Sequence, residues 1–234
     1  MAVPFLFGIG IGIAGVFIRR TLARSVMPVE GHPAPLIQTL RAHWRPIWQV
    51  AGFKVFEAVG FYTIFVYLTT YFTQVVHIPK YQALYINTIS MCFAMAIIPL
   101  AGSISDRIGR KPLMISNALG MLMLALPLFR MVHHPDFRTM LIGQLGLATL
   151  FSFYAGASPA ASAETFKASV RCTGTALSHN VTMALLGGTA PMVATWLIVR
   201  TANEMSPAFY LMGAAMISGI VTFGLRETAH EELT

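Results

Sequence analysis

The chain has 234 residues, 56% hydrophobic and only 11% charged, against about 25% charged in an ordinary soluble domain. That little charge excludes a water-solvated globular surface, and the apolar residues come in blocks of about 20, the length that crosses a hydrocarbon layer. The net charge of +7 does not imply nucleic acid as a partner, because Arg and Lys fall between the apolar runs rather than along one face with aromatic platforms.

Seven runs are long enough to span a bilayer, at about 3–18, 49–76, 83–105, 112–130, 139–161, 174–199 and 207–225. The first lacks a basic segment before it and a small-residue cleavage site after it, so it reads as a span rather than a signal peptide. Gly10, Gly12 and Gly15 form a formal G-x-G-x-x-G with Glu30 beyond. No strand precedes it, so close helix packing is the better reading. In the second run Thr63, Tyr67, Thr70 and Gln74 recur at helical steps, a polar face that should turn to other helices or water. Glu57 lies early in that run, and an ionisable group there costs roughly 2.5–3.5 kcal/mol near a helix centre. It reads either as a proton site or as the partner of Lys54, three residues earlier, near the inner interface.

The third, fifth and sixth runs are also polar-striped, through Tyr85, Asn87 and Ser90, then Gln144, Ser152, Tyr154 and Ser158, then Ser178, His179, Asn180, Thr182 and Thr189. The first, fourth and seventh are nearly plain. This division implies a bundle with cavity-facing and lipid-facing members. Cys92 and Cys172 stand too far apart for a metal-ligand pattern and read as packing residues. "HHPD" at 133–136 reads as an external turn, with no metal expected.

The basic residues set the orientation. With the loop 19–48 inside, Arg19, Arg20, Arg24, Arg41, Arg45, Lys54, Arg107, Arg110, Lys111, Lys167, Arg171 and Arg226 are cytoplasmic, leaving Lys80, Arg130, Arg138 and Arg200 outside. The positive-inside rule thus predicts an outside N-terminus and a cytoplasmic C-terminus, with Trp44 and Trp48 at the inner interface. An odd number of spans in this orientation looks like the back part of something longer.

The stretch "GSISDRIGRKP", 102–112, sits between two apolar runs. Gly102 and Asp106 share a helix face, and Pro112 suits the first position of the next helix. Gly102, Asp106, Arg107, Gly109, Arg110 and Lys111 match G-x-x-x-D-R-x-G-R-[KR], and the chain thereby resembles the major facilitator superfamily, whose members carry this motif between helices 2 and 3 and again between helices 8 and 9. Glu164, Phe166 and Arg171 in "AETFKASVRCTG" are similar to the family's E-x-F-P-x-x-x-R segment before helix 11, with Lys167 in place of the proline. "IRRTL" at 18–22 and Glu227, Thr228 and Ala229 resemble the central loop and the E-T-A ending of the metabolite:proton symporter branch, which contains proline/betaine, citrate, shikimate and 2-oxoglutarate permeases. Arg24 stands where that branch more usually has an acid.

The resemblance implies an all-α integral membrane fold of seven transmembrane helices, helices 6–12 of a twelve-helix carrier. Helix 6 would cover 1–20, a cytoplasmic central loop 21–48, the six-helix C-terminal half 49–226 and a cytoplasmic tail 227–234. It implies a symporter in the bacterial inner membrane, with a proton as coupling ion and no other cofactor, for a small organic acid or zwitterionic osmolyte. Membrane lipid and a small polar solute would be its partners, along with the missing N-terminal helices in cis or in trans. Thr63, Tyr67, Thr70, Gln74, Asn87, Gln144 and Asn180 become candidate cavity residues and Glu57 the candidate proton site. Asp106 is expected as a conformational latch near the start of helix 11, with Arg107 and Arg110 reaching acids such as Glu164. The alternative is a non-transporting membrane partner that pairs with a separately encoded front half. An enzyme is not expected, since no nucleophile–base pair or metal constellation appears.

Overall fold

The computed structural model describes residues 15–16, 44–168, 170–225 and 227. The predicted first span, most of the predicted central loop and nearly all of the tail therefore lie outside the described residues. Among the described residues, six helices are long and apolar enough to cross a membrane: α1 (Trp44–Gln74), α2 (Lys80–Ile108), α3 (Arg110–His133), α4 (Phe137–Glu164), α5 (Arg171–Thr201) and α6 (Ser206–Phe223). They match the second to seventh predicted runs in order. Most run a few residues past those blocks, because a helix continues through the headgroup layers after the hydrocarbon ends, where residues such as Lys80, Arg107 and Arg130 are solvated.

The start of α3 differs from expectation. The helix begins at Arg110, so Pro112 is its third residue rather than its first. The Glu227 carboxylate accepts from the backbone N–H groups of Arg110 and Lys111, both at 3.0 Å, which supports a first turn ahead of the proline. Pro112 still removes only an N–H that a first turn leaves unpaired anyway.

The packing has an internal symmetry. α4 lies against α2 and α3, α1 lies correspondingly against α5 and α6, and α3 meets α6 across the bundle. Exchanging each helix with the one three places along preserves these pairings, as in the 3+3 repeats nested in each half of such carriers. α2 and α4 approach most closely where Gly102 meets Gly156: a Cβ on Gly156 would lie 2.8 Å from the Ile98 carbonyl oxygen and 2.9 Å from the Gly102 nitrogen. Small residues let membrane helices make such backbone contact. Phe53, Phe56, Tyr71, Phe72, Phe129 and Tyr154, all fully buried, fill the centre.

Two helices are locally widened. α1 is π-helical over Tyr62–Tyr67 and α5 over Met183–Gly187. The two segments touch: a Cβ on Gly187 would lie 2.7 Å from the Tyr62 ring. Such bulges insert a residue into the turn and are frequent at functional sites.

Candidate functional site

One end of the bundle carries the charged motif. Arg110 pairs with Asp106 one turn before it and reaches across to α4, where Glu164 accepts from its Nε at 3.3 Å and from a terminal nitrogen at 3.2 Å. Arg110 and Glu164 are largely shielded from solvent while Asp106 is 64% exposed at its side chain. Arg110, not Arg107, is thus brought to Glu164; Arg107 is exposed. Asp106 finds its ion-pair partner at the start of α3 rather than at the start of α5. Gly109 has φ +113°, a conformation open to glycine, and a Cβ there would meet the Glu227 carboxylate at 2.8 Å. Lys111 donates to the Leu225 carbonyl at 2.8 Å and lies over the Phe223 ring. Arg171 donates to the Phe166 carbonyl at 3.3 Å, closing the turn that leads into α5. A cavity of about 350 Å³ lined by Gln49, Arg110, Lys111 and Glu164 opens at this end.

The opposite end is held by a different set of polar contacts. Tyr71 Oη meets His133 Nδ1 at 2.9 Å and donates to the Glu204 carbonyl at 3.1 Å, and His133 Nε2 lies 3.2 Å from the Glu204 carboxylate. Residues 134–136 connect α3 to α4, with the Asp136 side chain accepting from the Thr139 N–H and hydroxyl. These bonds hold the Asp136 carboxyl below its ordinary pKa.

Between the ends lies a buried ion pair. Lys54 Nζ donates to Glu57 Oε2 at 2.8 Å and to Ser158 Oγ at 3.1 Å, and the Ser158 hydroxyl donates to the same Glu57 oxygen. Lys54 is 3% exposed and Glu57 8%, so the pair is packed between α1 and α4 rather than solvated at an interface. Beside it the α1 backbone is also engaged by side chains. Ser218 Oγ accepts from the Phe56 N–H at 2.8 Å and donates to the Gly52 carbonyl at 3.1 Å, touching a donor and an acceptor one turn apart on α1. Tyr154 donates to the Phe53 carbonyl at 2.7 Å.

Glu57 also walls a cavity of about 540 Å³ built from α1, α2, α4 and α5, with Phe61, Phe65, Phe151, Met91 and Cys92 among its other residues. α3 and α6 contribute nothing to it. None of the polar residues singled out in the sequence as cavity candidates is in that wall. Gln144 is fully buried and donates to the Ile64 carbonyl at 3.0 Å and to Asn87 at 3.1 Å. Thr63 and Tyr67 are buried while Thr70, Gln74 and Asn180 are exposed. The π-helical turn explains the split along α1, since one inserted residue rotates the remainder of the helix by about 100° and breaks the stripe.

The geometry is that of a six-helix half-bundle with a cross-helix charge cluster at one end and a cavity on four of its helices. The model of the sugar (and other) transporter family matches residues 31–234. The chain belongs to that family. It falls within the major facilitator superfamily and, in the metabolite:proton symporter branch, corresponds to the C-terminal part of proline/betaine-type carriers. It is 30% identical over 244 residues to a Staphylococcus aureus (strain COL) protein named as a putative proline/betaine transporter, covering 99% of this chain and 51% of the relative. It is 25% identical over 246 residues to the proline/betaine transporter of Salmonella typhimurium, covering 99% and 49%. It is 25% identical over 245 residues to the glycine betaine/proline/ectoine/pipecolic acid transporter of Dickeya dadantii, covering 98% and 49%. The chain spans about half the length of these relatives, which are transporters rather than enzymes.

The cavity groups that carry no signal in the sequence are mostly apolar. Phe61, Phe65, Phe151 and Met91 carry no signal inside an apolar span. Only the spacing of Phe61 and Phe65, four apart, hints that they share a face. Ser158 stands out in the sequence as one of a polar set, but its contact with a charge 104 residues earlier in the chain is invisible without the fold.

Proposed function

We propose that the chain forms the C-terminal half of a proton-coupled symporter for a small zwitterionic osmolyte or organic acid, working by alternating access in the bacterial inner membrane. The charge-cluster end is cytoplasmic in this reading, as the distribution of basic residues requires. Front-half helices, in cis or in trans, complete the cavity and carry the coupling acids. A zwitterion is the favoured solute, because among the described residues the cavity wall contains a carboxylate and neither Arg nor Lys to hold an anion.

The observation that carries the reading is the Asp106–Arg110–Glu164 chain. It ties the end of α2 and the start of α3 to the end of α4 through contacts that water can replace when they part. Asp106 would act as a latch through Arg110, holding one state of the carrier and releasing it in the other. Glu57 is read as the ion-pair partner of Lys54, whose Nζ lies at 2.8 Å, rather than as the proton carrier.

The test is uptake of labelled proline, glycine betaine, citrate and 2-oxoglutarate by cells that make this chain together with helices 1–5 of the carrier. Zwitterion uptake that collapses with a protonophore, and a changed inward/outward balance in Asp106→Asn, are expected. Uptake indifferent to the proton gradient removes the coupling, and no uptake of any of the four solutes returns the chain to the role of a non-transporting partner.

A further inference from the structure

We infer that the cavity beside Glu57 is a cation subsite, shaped for a methylated or secondary ammonium group. Three Phe rings stand together in its wall, with Phe61 exposed in front of the buried Phe65 and Phe151: Phe61 and Phe65 have centroids 5.7 Å apart, Phe61 and Phe151 6.2 Å, and Phe65 and Phe151 5.5 Å. Ring faces are electronegative and attract a poorly hydrated cation, and such aromatic walls are a recurring means of binding quaternary ammonium groups. Met91 and Met95 add polarizable sulfur to the same wall.

The carboxylate is arranged to serve such a cation. The hydrogen bonds that Lys54 and Ser158 make to Glu57 both go to Oε2. Oε1 accepts none among the described residues, and it is not among the sealed, unpartnered polar atoms. The pair is therefore neutral overall but oriented, with Lys54 packed behind against Ser158 and Glu57 in the cavity wall. Lys54 approaches the carboxylate without occupying both of its oxygens. A small inorganic ion would lose much of its hydration in a wall this apolar, whereas a methylated ammonium loses little. The carboxylate end of a zwitterion finds no cationic partner in this wall and would point to the cavity mouth.

The chemistry stands on the wall alone; the identity of the solute rests on the osmolyte reading above. Cys92 belongs to the same wall and is exposed, so it can report on the site in the chain as it is. The experiment is performed in lipid nanodiscs in a Cys172→Ser background. It compares the rates at which Cys92 reacts with a trimethylammonium-bearing methanethiosulfonate and with an uncharged one of similar size, with and without tetramethylammonium, glycine betaine or proline at matched ionic strength.

Faster labelling by the cationic reagent and protection by tetramethylammonium are expected. In the double variant Lys54→Met/Glu57→Gln, which strands no charge, the preference should fall about tenfold, and in Phe61→Leu protection should weaken roughly threefold. Unchanged labelling by the uncharged reagent reports an intact fold. Equal rates for the two reagents, or tetramethylammonium protection that persists in the double variant, overturns the subsite. Protection by tetramethylammonium but by neither glycine betaine nor proline leaves the subsite standing and removes the osmolyte reading. Protection by glycine betaine that survives in the double variant does the reverse.

Discussion

At the end of the bundle Arg110 meets Asp106 and Glu164 where solvent reaches the edge of the cluster; deeper between α1 and α4, Lys54 meets Glu57 and Ser158 with almost no exposure. The bond types are similar and their consequences are not. At the edge the Asp106 carboxylate, 64% exposed, is rehydrated as it leaves Arg110, so that contact can open at little cost and suits a part that must alternate, while the Arg110–Glu164 contact behind it is as shielded as Glu57. Charges in the interior have nowhere to go, and their pair is held by the cost of stranding either member. A chain that moves around a fixed site needs both kinds, with the breakable pairs on its moving edges.

The sharpest way to break this contrast is to strand the interior charge. Glu57→Ala leaves Lys54 uncompensated and should destabilise the bundle by about 3–5 kcal/mol. Lys54→Met/Glu57→Gln should restore most of that loss. Thermal unfolding in nanodiscs measures both, and a single variant as stable as the parent would show that water reaches the pair.

At the edge the largest effect should come from backbone rather than charge. Gly109→Ala places a side chain at φ +113° and directs it onto the Glu227 carboxylate 2.8 Å away. Strain of about 1–3 kcal/mol is expected, together with release of Glu227 from the start of α3. Glu227→Gln keeps the backbone intact and weakens the cap, by about 1 kcal/mol, read as roughly fivefold faster amide exchange at Arg110 and Lys111. If the two variants lose the same stability, the glycine is not there for its conformation.

The two regions also differ in how far the sequence exposes them. The edge motif is legible because Gly102, Asp106, Gly109 and Arg110 are chemically distinct residues at fixed spacing beside an apolar block. Its cap is not, because Glu227 reaches Arg110 across 117 residues of chain. In the interior, Lys54 and Glu57 are legible as an i,i+3 pair, but their depth and their contact with Ser158 require the packing of α4. The face of Thr63, Tyr67, Thr70 and Gln74 assumes an unbroken α-helix, and the π turn at Tyr62–Tyr67 divides it. The Phe wall is silent because aromatic residues in an apolar span look like any other lipid-compatible residue. The helices themselves are the most legible part, since bilayer thickness sets their length.

The end of the bundle remote from the motif supplies the smallest effect and a control on charge at an edge. Asp136 accepts from the backbone N–H and the hydroxyl of Thr139, at 3.0 and 2.9 Å, and these bonds favour the ionised carboxylate, so its folded pKa lies below the ordinary value. A depressed carboxylate contributes stability that is complete above the unfolded pKa, about 3.9, and that is lost as pH falls through the folded value. Stability should therefore be flat in this contribution from about pH 8 to 5 and decline only in strong acid. Asp136→Asn should remove its share of that acid limb while leaving the neutral region nearly unchanged, because an amide oxygen still accepts from Thr139. Amide exchange at Thr139, followed from neutral pH into acid, reads the cap directly. Loss of protection already at about pH 6, well above any carboxylate held low by hydrogen bonds, would mean that a different group holds the start of α4.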